Sequence, residues 1–150
     1  MIEAVGEGVT KFAVGDRVST LFFQNWIGGP PTIEKLVTAL GGGGRGAGAE
    51  LVALSQDGVI KAPAHLTDNQ VATLACAGLT AWRGLFVDGS LEPGDTVVLQ
   101  GTGGVSIFGL QFAKAAGLRT VITSSSDEKL ERARAMGADH TVNYLSLIHI

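Results

Sequence analysis

Residues 95–144 constrain the fold of this chain more than any other stretch. They begin with 96–100, a short run rich in β-branched residues that is typical of a parallel strand buried on both faces. A cluster of glycines follows, and then a segment of small and apolar residues over 107–116 that predicts a mostly buried helix. A second β-branched run at 120–123 predicts the next strand. The order strand, glycine turn, helix, strand, helix, strand predicts half of a doubly wound α/β sheet.

The glycine turn after the first of these strands predicts a binding site for a pyrophosphate group. Gly101 permits a tight turn, and Gly103 lets backbone N–H groups approach a phosphate because it carries no Cβ. The third glycine of the usual G-x-G-x-x-G pattern is replaced by Ser106, so helix and strand must lie slightly farther apart there. Gly104 and Gly109 offer other points of close approach. The surrounding strands favour a nucleotide site over the alternative, a glycine-rich turn without a ligand.

Composition limits the remaining functions. The 150 residues are 45% hydrophobic, which is enough for one core or for parts of two domains. The net charge of -3, without a basic stripe, argues against nucleic acid and anionic membranes as partners. Apolar runs are interrupted well before bilayer length and no signal core is present, so we expect a soluble cytoplasmic protein. A single cysteine, Cys76, excludes an intrachain disulfide and a multi-cysteine structural zinc lobe within the chain.

The first half of the chain predicts short strands joined by glycine-rich loops, as in a piece of a β-barrel. The candidate strands are 2–5, 17–22, 50–54 and 59–61, with a short helical turn within 32–40. Phe22, Phe23 and Trp26 form an aromatic cluster that indicates either core packing or the wall of an apolar substrate pocket.

A helical stretch separates this half from the predicted sheet. Thr67 and Gln70 match a capping box and predict a helix through Ala75, and residues 76–86 predict a second helix rich in small side chains. We place the domain boundary between 81 and 91.

Several motifs resemble those of the medium-chain dehydrogenase/reductase superfamily, and they occur in family order up to Tyr144. They are 5–9 with 15–18, 77–82, 93–95 with 101–106, and 137–140 with 143–144. Within the superfamily, the chain most resembles zinc-independent, quinone-oxidoreductase-like alcohol dehydrogenase homologues.

The resemblance implies an α/β protein in which a GroES-like β-barrel domain holds a small-molecule substrate and a Rossmann domain binds NAD(P). Residues 1–85 would be the C-terminal part of the first domain, and 86–144 the first half of the doubly wound parallel sheet of the second. Residues 145–150 have no family counterpart, and we interpret them as an assembly or cloning remnant. Without the other half of the sheet, strand 96–100 would become an edge strand, so we expect the segment alone to aggregate or to bind nucleotide poorly. The full-length protein is expected to be a homodimer.

The resemblance also assigns cofactor-binding residues, and the end of the second strand bears on which nucleotide they prefer. The assigned residues are Thr80 beside the nicotinamide, Gly101, Thr102, Gly103, Gly104 and Val105 at the diphosphate, and Ser124, Ser125, Ser126, Lys129 and Tyr144 near the adenine ribose. NAD-specific members carry an acidic residue where this chain has Ser124. Because no carboxylate there would repel the extra phosphate of NADP, we predict NADP(H) over NAD(H). The alternative is that Ser125 and Glu128 form a capping box that serves only the helix, and that Lys129 is a solvated charge.

Cys76 stands at the position that supplies one catalytic zinc ligand in zinc-dependent relatives. A catalytic zinc needs three protein ligands, and no other residues of the chain offer ligand spacing, so we predict a buried, inert Cys76 and no zinc. The implied reaction is direct hydride transfer between NADPH and a small carbonyl, alcohol or quinone, with no catalytic acid or base assigned. The alternatives are a zinc-dependent alcohol dehydrogenase, with further ligands upstream, and a noncatalytic dinucleotide-binding protein.

Overall fold

The computed structural model describes residues 1–43 and 45–146. The chain divides into two compact units, Met1–Ala75 and the part from Cys76 onward. The assignment of 1–85 and 86–144 to two domains of a larger protein stays a prediction, as does the remnant at 145–150, of which 147–150 lie outside the described residues. No described helix is both long enough and apolar enough to cross a membrane.

Among residues 1–43 and 45–75, the structure describes one small antiparallel sheet, two short α-helices and a 3-10 helix at Gln56–Gly58. Strand β1 (Val18–Thr20) pairs with β2 (Val59–Lys61), as two of the predicted strands require. Helix α1 (Ile33–Leu36) lies within the predicted helical turn, and α2 (Asp68–Ala72) begins at the predicted capping box. In that box the Thr67 side chain accepts a hydrogen bond from the backbone N–H of Gln70, and the Gln70 side chain accepts one from the N–H of Thr67.

Two of the predicted strands in this unit are wrong, because 2–5 and 50–54 are irregular. The Ile2 N–H donates to the carbonyl of Asp16 and the Gly15 N–H donates to the carbonyl of Ile2, each at 2.9 Å, but these two bonds do not extend into a strand ladder over 2–5. Within 1–43 and 45–75, the other strand-like contact is an isolated bridge between Phe23 and Ala39. The partial β-barrel therefore stays a prediction.

The aromatic cluster of the first unit is present. The ring centroids of Phe22 and Phe23 lie 4.8 Å apart, and those of Phe23 and Trp26 lie 5.1 Å apart. The three side chains pack on one another along the loop that precedes α1.

The helical stretch after α2 is wound more irregularly than predicted. Helix α3 (Leu79–Trp82) is flanked by two segments with wider π turns, Leu74–Gly78 and Arg83–Asp88. The Trp82 ring lies 4.7 Å from that of Phe86 and meets Phe112 edge-on at 5.7 Å. The predicted helix over 76–86 is therefore present, and it packs on the first helix of the Rossmann half.

The second unit contains the predicted half of a Rossmann sheet. Strands β3 (Thr96–Leu99), β4 (Arg119–Ser124) and β5 (His140–Asn143) are parallel and lie side by side in that order. Helix α4 (Gly104–Ala115) connects β3 to β4, and α5 (Asp127–Ala135) connects β4 to β5. This connectivity confirms the α/β fold predicted from residues 95–144.

The core of this unit lies between the sheet and its two helices. Leu99, Leu110, Ile122, Leu130 and Ala133 form one buried cluster. A Cβ added to Gly109 would lie 2.9 Å from Cδ2 of Leu99, so α4 approaches β3 most closely at this glycine. Gly109 thus supplies the close approach that the missing third glycine of the turn does not.

The exposure of β3 differs from the prediction for a strand buried on both faces. Val98 is 60% exposed, because it points to the face of the sheet opposite to Leu99, which packs in the core beneath the helices. Strand β3 is also at the edge of the three-stranded sheet. The edge position itself was expected for a segment that carries half of a doubly wound sheet. In helix α4 only Gly109, Leu110 and Ala113 are buried, so the helix is not mostly buried as predicted.

A polar cluster joins the elements at the amino end of β4. The Asp139 carboxylate accepts hydrogen bonds from Nζ of Lys114 at 2.9 Å and from the N–H of Thr120 at 2.7 Å, and a third from the Thr120 hydroxyl at 2.9 Å. The Lys114 ammonium, followed by the two Thr120 donors, holds the pKa of Asp139 well below its usual range. The cluster ties the end of α4 to the start of β4 and β5, at the sheet edge opposite the glycine turn.

Candidate functional site

The glycine turn joins β3 to α4 at the carboxyl edge of the sheet, where ligands of open α/β sheets bind. Gly101 has a φ of +78°, a conformation that residues with a side chain rarely adopt. Gly103 has ordinary backbone angles, with φ of -79° and ψ of 176°. A Cβ built on Gly103 would meet none of the described atoms within 4 Å, so open space lies beside it. Glycine is therefore needed at 101 for the backbone conformation of the turn, whereas Gly103 leaves room for a ligand.

The amino end of α4 differs from the amino ends of α1, α2 and α5. In those three helices a backbone N–H of the first turn donates a hydrogen bond to a capping hydroxyl oxygen, on Thr32, Thr67 and Ser126 respectively. The cap position of α4 is Gly103, which has no side chain to accept a bond from the first turn. The α4 end is therefore left without the side-chain acceptor that α1, α2 and α5 have; α3, which continues a π segment, also has a glycine at its cap.

The backbone N–H groups at this end point out of the helix. The first backbone hydrogen bond of α4 runs from the N–H of Ile107 to the carbonyl of Gly103, at 3.0 Å. The N–H groups of Gly104, Val105 and Ser106 precede it and have no carbonyl within the helix to bind. Together with the positive end of the helix dipole, they form a set of donors suited to an anion such as a diphosphate.

The end of β4 lies next to this turn. Oγ of Ser124 lies 3.4 Å from Oγ1 of Thr102 and accepts a hydrogen bond from the N–H of Ser126 at 3.2 Å. Ser124 is only 4% exposed, so its hydroxyl is engaged within the protein. The N–H of Tyr144 donates to the carbonyl of Ser124 at 3.2 Å, which places the half-exposed Tyr144 at the same edge.

The start of α5 shows that the capping box considered for Ser125 and Glu128 does not form. The residue that caps the helix is Ser126, whose Oγ accepts from the N–H of Lys129 at 3.4 Å, and not Ser125. The predicted capping box of Ser125 and Glu128 is therefore wrong. Ser125, which follows β4, is exposed, and so is Lys129 in the first turn of α5.

A residue without an assigned role in the sequence, Asn143, also contacts this helix end. Its Nδ2 donates to Oδ1 of Asp127 at 2.8 Å, which engages the acidic residue nearest to the serines. The Asn143–Tyr144 motif marked the position, but its bond to the first turn of α5 depends on the packing of β5 and was not visible in the sequence.

Thr80 lies on the same side of the unit as the glycine turn. It lines an open cavity of about 450 Å³ together with residues of β3 and of the first turns of α4, among them Val98, Val105 and Ser106. The structure therefore brings Thr80 close to the amino end of α4, and its assignment to the nicotinamide stays a prediction.

Cys76 is exposed, which contradicts the prediction of a buried thiol. It lies in the π segment Leu74–Gly78, in which Gly78 is buried and the other neighbours of Cys76 are partly exposed. Among 1–43 and 45–146, no three His, Cys, Asp or Glu residues are grouped closely enough to hold a metal ion.

Comparisons with known proteins agree with this architecture. A family model described as zinc-binding dehydrogenase matches residues 104–149. A zinc-type alcohol dehydrogenase-like protein of Schizosaccharomyces pombe is 47% identical over 146 residues, which are 96% of this chain and 42% of that protein. The crystal structure of a Sinorhizobium meliloti 1021 protein assigned as an alcohol dehydrogenase matches 96% of this chain and 43% of its own at 49% identity, with a TM-score of 0.90.

The chain belongs to the medium-chain dehydrogenase/reductase superfamily. It spans less than half the length of the relatives that it matches. Two superfamily structures differ in the nucleotide that their descriptions name. An NAD-dependent alcohol dehydrogenase has a TM-score of 0.82 at 33% identity, over 95% of this chain and 44% of its own. The quinone oxidoreductase of Thermus thermophilus, described with its NADPH complex, has a TM-score of 0.58 at 28% identity, over 63% of this chain and 32% of its own.

Proposed function

We propose that the whole protein is a nicotinamide-dependent oxidoreductase that transfers hydride between NADPH and a small carbonyl, alcohol or quinone. The observation that carries the proposal is the amino end of α4, where backbone donors face open space beside Gly103 and no side chain caps them. This end fits a diphosphate because it supplies several N–H donors, the positive end of a helix dipole and no Cβ in the way.

The residues of this chain would bind and orient the cofactor, which supplies the hydride chemistry when it is bound. The N–H groups of Gly104, Val105 and Ser106 would donate to the diphosphate. Thr80, which lines the cavity beside them, would limit the position of the nicotinamide ring. None of the described residues that line the cavity is an acid or base to which we assign a proton transfer, and the barrel domain and the second half-sheet would have to supply one.

The preference for NADP(H) rests on the charges at the end of β4. Ser124 and Ser125 stand where a carboxylate would repel a ribose phosphate, and Lys129 adds a cation within the next turn. The nearest carboxylate, on Asp127, is hydrogen-bonded to the amide of Asn143. Titration of the whole protein with each nucleotide, followed by fluorescence, is expected to give tighter binding of NADPH than of NADH, and the opposite order would refute this preference.

We further propose that catalysis does not need zinc and that the whole protein is a homodimer. Zinc dependence is the second candidate, because the matching family model is described as zinc-binding and the S. pombe relative as zinc-type, and because Cys76 is exposed and thus accessible. Metal analysis of the purified protein and its activity after chelation separate the two. One tightly bound zinc per chain, with activity lost in Cys76→Ala and after chelation, would favour the second candidate. Light scattering after gel filtration tests the dimer.

The direct test of the cofactor site is Gly103→Val. The valine side chain would occupy the space beside the N–H donors, and we expect dinucleotide affinity to fall by roughly tenfold or more, as for the loss of charge-assisted hydrogen bonds. Gly6→Val is the matched control, because Gly6 also has an ordinary φ and open space around its Cβ position. If Gly103→Val bound NADPH and NADH like the control, the site would be wrong. Binding without turnover of aldehydes, enones and quinones would favour a noncatalytic dinucleotide-binding protein.

A further inference from the structure

One peptide unit at the start of the glycine turn is held at both ends by side-chain hydroxyls. The carbonyl of Gln100 accepts a hydrogen bond from Oγ of Ser106 at 2.9 Å. The N–H of Gly101, which belongs to the same peptide bond, donates to Oγ1 of Thr123 at 3.1 Å. Ser106 belongs to the first turn of α4 and Thr123 to β4, so side chains from two different elements are hydrogen-bonded to the same peptide unit.

These two bonds begin where the β3–β4 pairing ends. The last registered pair of the parallel ladder is Leu99 with Ile122. Beyond that pair, the N–H of Gly101 is bonded to the Thr123 side chain and not to the backbone of β4. The chain then turns away from the strand at Gly101, which has a positive φ. Because a peptide bond is planar, fixing its N–H and its C=O fixes the orientation of the whole unit, and thereby the direction in which the turn leaves the strand.

The position of Ser106 is informative because the usual nucleotide-binding pattern has glycine there. A glycine could not bind the Gln100 carbonyl, whereas the serine hydroxyl does so across the turn. The close helix–strand approach that a third glycine would permit is found at Gly109 instead. Ser106 therefore makes a contact in this chain that the glycine of the usual pattern could not make.

We propose that Ser106 and Thr123 are positioning residues that hold the glycine turn in the conformation that receives the cofactor diphosphate. This inference rests on the proposed function. A turn with glycines at 101, 103 and 104 samples many backbone conformations when it is unrestrained. Fixing the peptide plane at its start orders the turn before the ligand arrives, so that less ordering opposes binding. The N–H of Gly101 is used by Thr123, which leaves the anion to the donors at the amino end of α4.

The test uses the whole protein with Ser106→Ala and Thr123→Val, each of which removes one hydroxyl, and with Thr123→Ser, which keeps it. Two ligands are compared by fluorescence titration and competition. The first is the dinucleotide that the wild type binds more tightly. The second is the matching fragment without a diphosphate, adenosine 2′-monophosphate for NADPH or adenosine for NADH.

Loss of either hydroxyl is expected to raise the dinucleotide Kd by about three- to tenfold, while Thr123→Ser stays near the wild type. The Kd of the fragment is expected to change less than about twofold, because it does not reach the turn. Unchanged dinucleotide binding in Ser106→Ala and Thr123→Val would overturn the inference. An equal loss for dinucleotide and fragment would also overturn it, because it would indicate general structural damage. A wild-type protein that binds neither dinucleotide would instead refute the proposed function itself.

Discussion

Adding a methyl group at Gly101 is expected to destabilise the protein through the backbone alone. Gly101 has a φ of +78°, and no described atom lies within 4 Å of the place where a Cβ would stand. Alanine would therefore meet no clash but would be held in a left-handed conformation, at a cost of about 1–2 kcal/mol. Alanine also reduces the conformational entropy of the unfolded chain, which stabilises the folded state by about 0.4–1 kcal/mol. The net result for Gly101→Ala is a loss of about 1 kcal/mol in the free energy of unfolding.

Gly84→Ala is the matched control for this change. Gly84 also has open space around its Cβ position, but it has a negative φ and lies in the helical segment Arg83–Asp88 of the same unit. Alanine is favoured over glycine inside a helix by about 0.8–1 kcal/mol, so this variant should be more stable than the wild type. The two methyl additions are thus expected to differ by about 2 kcal/mol, with opposite signs.

Urea denaturation of the whole protein, followed by circular dichroism and tryptophan fluorescence, measures this difference. With a slope of about 1–3 kcal/mol per molar urea, the two midpoints should be separated by roughly 1 M. The slope itself should not change, because the strain arises in the folded state. A midpoint for Gly101→Ala at or above the wild type would refute the reasoning that the left-handed turn requires glycine.

Three further changes test the packing and the polar contacts of the fold. Leu110→Ala removes most of a side chain that is 0% exposed, and should lower the free energy of unfolding by about 2–5 kcal/mol in the same assay. Thr67→Ala removes the cap of α2 and should cost about 1 kcal/mol, whereas Thr67→Ser should retain most of the stability; equal losses would contradict a capping role. Asp139→Asn should lower the melting temperature at neutral pH, because the ionised carboxylate accepts bonds from Lys114 and Thr120. Since the folded-state pKa of Asp139 is lowered, its contribution is present above about pH 4 and is lost as the pH falls, so the melting temperatures should converge in acid; a constant gap would contradict this.

The Rossmann half could be predicted from the sequence because each of its signals is local. Short β-branched runs at 96–100 and 120–123, separated by a glycine turn and a segment of small and apolar residues, permit few other arrangements. The capping box at Thr67 was readable for the same reason, since both partners lie within one helical turn. The glycine with positive φ in the turn, Gly101, follows from the tight connection between strand and helix.

Features that depend on distant partners could not be predicted. Residues 2–5 and 50–54 have the composition of strands, but a strand forms only beside another strand, and the sequence does not say whether one is present. The exposure of Val98 and Cys76 depends on what covers them, which periodicity does not report. The choice of Ser126 over Ser125 as the cap of α5 shifts a boundary by one residue, which is within the usual uncertainty of helix ends.

The contacts of the glycine turn also divide into those that are local in the sequence and those that depend on distant residues. The glycines of the turn stand out in the sequence, but the hydroxyls that hold it, on Ser106 and Thr123, come from two elements that meet only in the folded chain. Thr123 offered no signal at all, because a threonine in a β-branched run is ordinary strand composition. Ser106 offered one as the residue that breaks the glycine pattern, although the pattern alone gave no reason to expect a bond to Gln100.

A crystal structure of the whole protein soaked with NADPH tests the central claim most directly. We predict that diphosphate oxygens lie within hydrogen-bonding distance of the N–H groups of Gly104 and Val105, with the Gln100–Gly101 peptide oriented as it is here. A structure in which the nucleotide binds elsewhere, or in which a side chain fills the space beside Gly103, would contradict the account.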